Sequence, residues 1–201
     1  MLCLGIETSC DETAFALVEN GRRLIASKLV SQTEVHRAFG GVVPEVAARR
    51  HLEAFNPLLD ELLLEASGVL ALPASEVLSA VSAIACTNGP GLIGTLLVGL
   101  AGAKAMAWAL DKPLLTVDHI QAHVCANYIG TELEPPFIAL VVSGGYTQIM
   151  HFKSYKEFEI VGQTIDDASG EAYDKVARIL GLGYPGGPAV DRLASQGNPQ
   201  A

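Results

Sequence analysis

The sequence predicts an α/β protein built from two related domains, and two observations predict it. Half of the 201 residues are apolar, which suffices for a substantial core. A meander of three short strands followed by alternating helices and strands occurs once in full, over residues 1–134, and starts again over 135–201. The second copy stops before its later strands, so a cleft enzyme drawing groups from that portion is expected to be incomplete, and inactive, as this chain alone.

The first meander reads Leu2–Glu7, Thr13–Val18 and Leu24–Ser31, with Glu19, Asn20 and Gly21 supplying the turn between the latter two. Pro44, placed after Gly40 and Gly41, opens a helix to about Ala66 with Val46, Leu52, Phe55, Leu58, Leu59 and Leu62 at helical spacing. Val81–Cys86 is a buried strand, and the turn Asn88–Gly91 leads into an apolar helix, Leu92–Leu110. That helix approaches the roughly 20 residues of a membrane span. Lys104 inside it, Gly94, Gly99 and Gly102 along it and the lack of a flanking basic cluster assign it to a buried position against a sheet. Leu114–Val117 is a strand and His119–Tyr128 a helix. The second copy has strands at Phe137–Val142, Thr147–Phe152 and Phe158–Val161, then helices at Ala168–Leu180 and Pro188–Ser195.

Thirteen basic residues face 22 acidic ones, so the surface as a whole repels a phosphate backbone and any nucleic-acid contact is local or assisted by a partner. Arg37, Arg49, Arg50 and Lys112 are the candidates for a basic patch. Cys3, Cys10, Cys86 and Cys125 have neither CxxC spacing nor the density of a disulfide framework, which favours a reducing cytoplasm. The first ten residues carry no basic stretch before their apolar run and so do not read as a signal peptide.

Both meanders place a polar or glycine-rich turn after their first strand: Glu7 to Thr13 in one, Ser143 to Thr147 in the other. Without a Cβ at Gly144 and Gly145, backbone amides can approach phosphate oxygens, although an ordinary hairpin turn has the same composition. Glu7, Asp11 and Glu12 can hold a cation or move a proton, or can be solvated turn acids. His119 and His123 share one helix face and can share one metal, or can be ordinary histidines; Asp118 or a carboxylate from elsewhere would have to complete the shell. The intervening residues Ile120, Gln121 and Ala122 lack the glutamate of a zinc peptidase. Asp174 and Asp191 are plausible acceptors for ribose hydroxyls. Gly94 to Gly99 has the glycine spacing of a Walker A loop, but Leu100 stands where its lysine belongs.

Taken together, GIETSCDET at Gly5–Thr13, GGVVPE at Gly40–Glu45, GPGLIGTLLVG at Gly89–Gly99, HIQAH at His119–His123, VSGGYTQ at Val142–Gln148, DDASGEAYDKVAR at Asp166–Arg178 and GYPGGP at Gly183–Pro188 resemble one family. It is the TsaD family of tRNA N6-adenosine threonylcarbamoyltransferases, once labelled glycoproteases, and the resemblance covers the whole chain but not the whole family length. It implies an actin/Hsp70/sugar-kinase-like (ASKHA) fold and a cytoplasmic acyltransferase. The reaction implied is transfer of threonylcarbamoyl from threonylcarbamoyl-AMP, an ATP-derived substrate, to N6 of the adenosine 3′ of the anticodon in tRNAs reading A-starting codons. It further implies His119 and His123 as ligands of one Fe2+ or Zn2+. Val141, Val142, Ser143, Gly144 and Gly145 are implied on the adenylate donor or its phosphate, and Asp174, Gly187 and Asp191 on its nucleoside. A third ligand, an Asp, and an adenylate-binding Asn belong to the family's last third. Asp11 and Glu12 are the catalytic candidates, for orienting donor or tRNA. The implied partners are tRNA, a TsaB-like paralogous subunit and a small TsaE-like ATPase, with no membrane. Tyr146 departs from the family, which usually carries His or Asn there. The rival readings are an ATP-dependent phosphotransferase or ATPase of the same fold, and a non-catalytic dimerisation module.

Overall fold

The computed structural model describes residues 1–198 and 200. The chain divides into two compact units, Met1–Gln32 with Val42–Glu132, and Thr33–Gly41 with Leu133–Ala201. The architecture is mixed α/β.

In the first unit, β1 (Leu2–Glu7), β2 (Glu12–Glu19) and β3 (Arg23–Ser31) form the expected antiparallel meander, and β4 (Ala83–Gly89) and β5 (Leu114–Asp118) extend the sheet in parallel to the order β3-β2-β1-β4-β5. Asn20 and Gly21 both take positive φ at the β2–β3 turn, which explains a residue pair tolerant of left-handed backbone there. Alternation along the strands sends Leu2, Leu4, Ile6, Phe15 and Leu17 to one face, where they are buried beneath two helices. The opposite face carries smaller groups, Gly5, Ala14, Ala16 and Ala85, and borders a cavity of about 590 Å³.

Helix α1 (Thr33–Arg37) falls in the second unit, and α2 (Pro44–Leu70) and α3 (Ala74–Ala80) in the first. Neither α1 nor α3 is foreseen in the sequence, because five and seven residues are too few for an apolar period to declare itself. The strand expected from Val81 begins instead at Ala83, since Val81 caps α3. Along α2 the buried stripe is Ala47, His51, Leu58, Leu62 and Ala66, whereas Leu52, one of the residues noted at helical spacing, is 65% exposed. His51 holds its place in the stripe because both ring nitrogens find partners inside: Nδ1 lies 2.7 Å from Thr13 Oγ1 and Nε2 lies 3.0 Å from the Cys10 carbonyl.

Helix α4 (Ile93–Ala109) buries Thr95, Gly99, Ala103 and Ala107, a stripe of small residues four apart that lets the helix lie close to the sheet. A Cβ on Gly99 would run into Thr8, and one on Gly102 would run into the Phe55 ring; Gly94 has only ordinary contact, 3.6 Å to Ala48 Cβ. No single helix among the described residues is long and apolar enough to cross a membrane; α2 with α3 passes that test only as a pair bent by 84°. Helix α5 (His119–Cys125) continues as one turn of 3-10 helix, Ala126–Tyr128.

The second unit holds the antiparallel meander β6 (Phe137–Val142), β7 (Thr147–Phe152) and β8 (Phe158–Gln163), followed by α6 (Ser169–Ile179) and α7 (Gly186–Ala194). The rings of Phe137 and Phe158 stack on Phe152 at 5.1 and 5.3 Å. Helix α7 begins at Gly186, two residues before the expected Pro188, and Gly186 sits against α6, where any Cβ would meet Ala177 Cβ and the Asp174 backbone.

Replacing Gly99 by Ala forces a methyl into Thr8 in a buried seam, and overpacking of this kind costs about 1–3 kcal/mol. The urea midpoint of Gly99→Ala is expected to fall accordingly, while Gly94→Ala stays at or above the parent.

Candidate functional site

The β1–β2 turn, Glu7 to Glu12, is held in place by helix α4. The Ser9 carbonyl accepts hydrogen bonds from Leu92 N at 2.8 Å and from Thr95 Oγ1 at 2.9 Å, so the helix start grips the turn directly. Thr8 Oγ1 donates to the Thr95 carbonyl at 2.8 Å and accepts from Gly99 N at 3.1 Å. The Asp11 carbonyl accepts from Gln32 N at 2.8 Å, tying the turn to the end of β3. The motif Gly89–Gly99 therefore serves as a clamp: Gly91 passes so near Ser9 that a Cβ there would stand 2.7 Å from its carbonyl oxygen.

Glu7 closes β1 and points toward α5. One carboxylate oxygen accepts from the Ser9 backbone N–H, and the other from Thr87 Oγ1 at 2.5 Å and from His119 Nδ1 at 3.1 Å. Burial pushes the Glu7 carboxyl up, but these donors outweigh it and lower the group to about 2, so it is an anion at neutral pH. The same bond raises His119, against the opposing effect of burial. Burial, followed by the neighbouring imidazole, lowers His123.

Helix α5 opens at His119 because Asp118 caps it, Oδ1 accepting from Gln121 N at 2.9 Å. Asp118 is thus engaged as a cap rather than completing a metal shell. The i, i+4 spacing brings Nε2 of His123 to 3.1 Å from Nε2 of His119, with the rings edge to face. Two imidazole nitrogens on one tetrahedral ion at about 2.0–2.1 Å stand about 3.4 Å apart. The pair therefore fits one shared ion with a movement of tenths of an ångström. Among the described residues no group of three or more His, Cys, Asp or Glu is arranged to hold a metal. Glu7, Thr87, His119 and His123 all line the cavity beside the small-residue face of the sheet.

Asp11 and Glu12 lie at the far end of the same turn. Partial burial, then the negative charges of Asp11 and Glu7, raises the Glu12 carboxyl, the direction that suits a proton acceptor near neutrality. Cys10 and Cys86 are pushed up to about 11, first by burial and then by nearby acids, so both are thiols rather than thiolates at neutral pH.

The Ser143–Tyr146 turn of the second unit closes on itself. Ser143 N donates to the Tyr146 carbonyl at 2.8 Å, and Tyr146 N donates to Ser143 Oγ at 3.0 Å. The Gly144 and Gly145 amides are exposed and have no hydrogen-bond partner among the described residues. Gly170, at the start of α6, donates to the Ser143 carbonyl at 3.1 Å; a Cβ on it would lie 2.6 Å from that oxygen. Val141 is buried and Val142 exposed. Asp174 accepts from Gly186 N at 2.7 Å and so positions the glycine pair that contains Gly187; Asp191 lies exposed on α7. Arg37 and Arg50 are paired with Glu34 and Glu53, each at 2.8 Å, which reduces their offer to a phosphate backbone.

The residues that sequence reasoning missed are Thr87, His51 and Thr95. Each is an ordinary polar residue inside a strand or helix, and only its burial beside the turn gives it a role. Glu7 is present in the sequence reading as one turn acid among three, without its tie to His119.

Residues 23–201 match the family described as TsaD: tRNA N6-adenosine threonylcarbamoyltransferase. A protein of that name from Clostridium perfringens (strain SM101 / Type A) is 54% identical over 201 residues, all of this chain and 57% of the relative. One from Clostridium beijerinckii is 55% identical over the same span. The chain thus spans 57% of the length of these curated relatives. Among solved structures it is similar to YeaZ from Pseudomonas aeruginosa, with 22% identity, a TM-score of 0.43, 81% of this chain covered and 66% of that one. Motifs, histidine geometry and matched length agree, and the chain belongs to the TsaD family of tRNA N6-adenosine threonylcarbamoyltransferases.

Proposed function

We propose that this chain carries the donor-binding and metal-binding residues of a cytoplasmic threonylcarbamoyltransferase of ASKHA fold. The reaction moves threonylcarbamoyl from threonylcarbamoyl-AMP to N6 of the adenosine 3′ of the anticodon in tRNAs reading A-starting codons. The observation that carries the reading is the His119–His123 pair, 3.1 Å apart at Nε2 on a cavity wall in a chain of this family. Completion of the site needs groups from the length that the relatives have and this chain does not span.

His119 and His123 would hold one Fe2+ or Zn2+, which supplies Lewis acidity and a template for the carbamoyl and phosphate oxygens. The chain's own groups do the rest. The Gly144 and Gly145 amides, with Ser143, face the donor's phosphate; Val141 and Val142 carry that turn. Asp174, Gly187 and Asp191 serve the nucleoside, with Asp174 acting largely by shaping the Gly186–Gly187 backbone. Asp11 and Glu12 orient donor or tRNA, and Glu12, whose raised pKa supports the role, would take the proton lost from the adenine amine as the new C–N bond forms and AMP leaves. The acidic surface makes tRNA binding a task shared with partners, a TsaB-like subunit and a TsaE-like ATPase.

A chimera with residues 1–201 of this chain in place of the matching part of the C. perfringens relative tests the reading. Labelled threonine is expected to enter tRNA with TsaB-like and TsaE-like proteins present, and His119→Ala is expected to lower the rate about 100-fold or more. Steady ATP turnover that needs no tRNA would instead identify a phosphotransferase or ATPase.

In the same chimera the transfer rate should fall on the acidic side as Glu12 protonates, at a pH above that of an ordinary glutamate because its pKa is raised. Glu12→Gln is expected to abolish that limb and cost about 100-fold in rate; a limb that persists in the variant removes Glu12 from proton transfer. Asp174→Ala leaves the Gly186 N–H without its acceptor and should lower unfolding free energy by about 1–3 kcal/mol in the absence of any nucleotide. An unchanged midpoint would leave Asp174 a ligand contact only.

A further inference from the structure

His119 has two candidate partners at Nδ1, Glu7 Oε2 and Ser9 Oγ, both at 3.1 Å, and one neighbour at Nε2, the His123 ring at 3.1 Å. Which nitrogen carries the proton decides what the ring presents to the cavity. An ionised carboxylate only accepts, so the nitrogen facing Glu7 must be protonated, and the neutral ring then offers the Nε2 lone pair on the His123 side. A serine hydroxyl imposes no such choice, since it donates or accepts as needed.

Glu7 is itself fixed. Its first oxygen is held by the Ser9 backbone N–H and its second by Thr87 as well as His119. Thr87 is 5% exposed and stands on β4, which pairs with β1, so the carboxylate is anchored by sheet and turn together. Charge-assisted bonds to a partly buried anion are the strong kind and hold geometry well.

We propose that Glu7 is a positioning residue: it locks His119 as the Nδ1–H tautomer and aims Nε2 at the point it shares with His123, while Ser9 leaves the tautomer unaffected. The metal side of this inference rests on reading the two histidines as ligands; the tautomer itself does not. Glu7 reaches the ring on the side away from Nε2, and so acts behind the ligand rather than as one.

Long-range 1H–15N correlation on the histidine-labelled 201-residue chain, at a pH where the ring is neutral, reads the tautomer directly. Zinc competition against a chromophoric chelator reads affinity. The parent is expected to show Nδ1–H at His119. Glu7→Gln should give mixed tautomers and zinc binding weakened about 10- to 100-fold, and Ser9→Ala should keep the parent's tautomer. A parent ring protonated at Nε2 overturns the proposal, as does a Glu7→Gln variant with unchanged tautomer and affinity within about twofold of the parent. Should Glu7→Gln fail to fold by circular dichroism, Nδ1–H in both parent and Ser9→Ala supports the lock, and its loss in Ser9→Ala overturns it. A parent that binds no zinc contradicts the ligand assignment under Proposed function, and the tautomer then decides the role of Glu7 alone.

Discussion

The turn between β1 and β2 must bury polar groups that a hairpin turn normally leaves in water. Thr8 and Ser9 are 1% and 2% exposed, and Glu7 is a partly buried anion. Leaving such groups unpaired would cost several kcal/mol each, so the turn survives only because the start of α4, the end of β3, His51 on α2 and Thr87 on β4 each satisfy part of it. The fold's helix-to-sheet spacing follows from this requirement. Gly91 and Gly99 lack side chains where α4 must close over the turn, and the small-residue stripe of α4 continues the same close approach along the core.

That clamp also explains the chemistry available on the other side of the sheet. The strand alternation that sends Ile6 into the core sends Glu7 toward α5, where it meets His119. Asp118 begins α5 at the residue that puts His119 and His123 one turn apart on the cavity wall. A turn glued to α4 and a helix capped by its own aspartate thus fix the two ends of the Glu7–His119 bond. The second unit solves a related problem by different means, with Gly170 and Gly186 letting α6 and α7 approach the serine-glycine turn and each other.

Much of this was legible in the sequence, and the exceptions have physical causes. Both meanders, the apolar helix α4 and the histidine pair follow from period and spacing alone. Strand ends shifted by one to three residues because hydrogen-bonded pairing, rather than apolarity, sets them. The place of His51 in the α2 stripe was not legible, because its two internal partners hold it there and a hydropathy pattern cannot see partners. Gly99 and Gly102 were readable as close-approach positions, Gly94 less so, since nothing in the sequence tells which glycine faces a neighbour. Glu7 was one carboxylate among three until the sheet placed it behind His119.

The central claim is that the two imidazoles form half of a metal shell preset by the fold. Zinc K-edge absorption on the zinc-loaded 201-residue chain tests it most directly. The account predicts two imidazole nitrogens at about 2.0–2.1 Å, with the remaining positions filled by oxygen and none by sulfur. A shell with one imidazole or none, or one built on cysteine sulfur at about 2.3 Å, would contradict it.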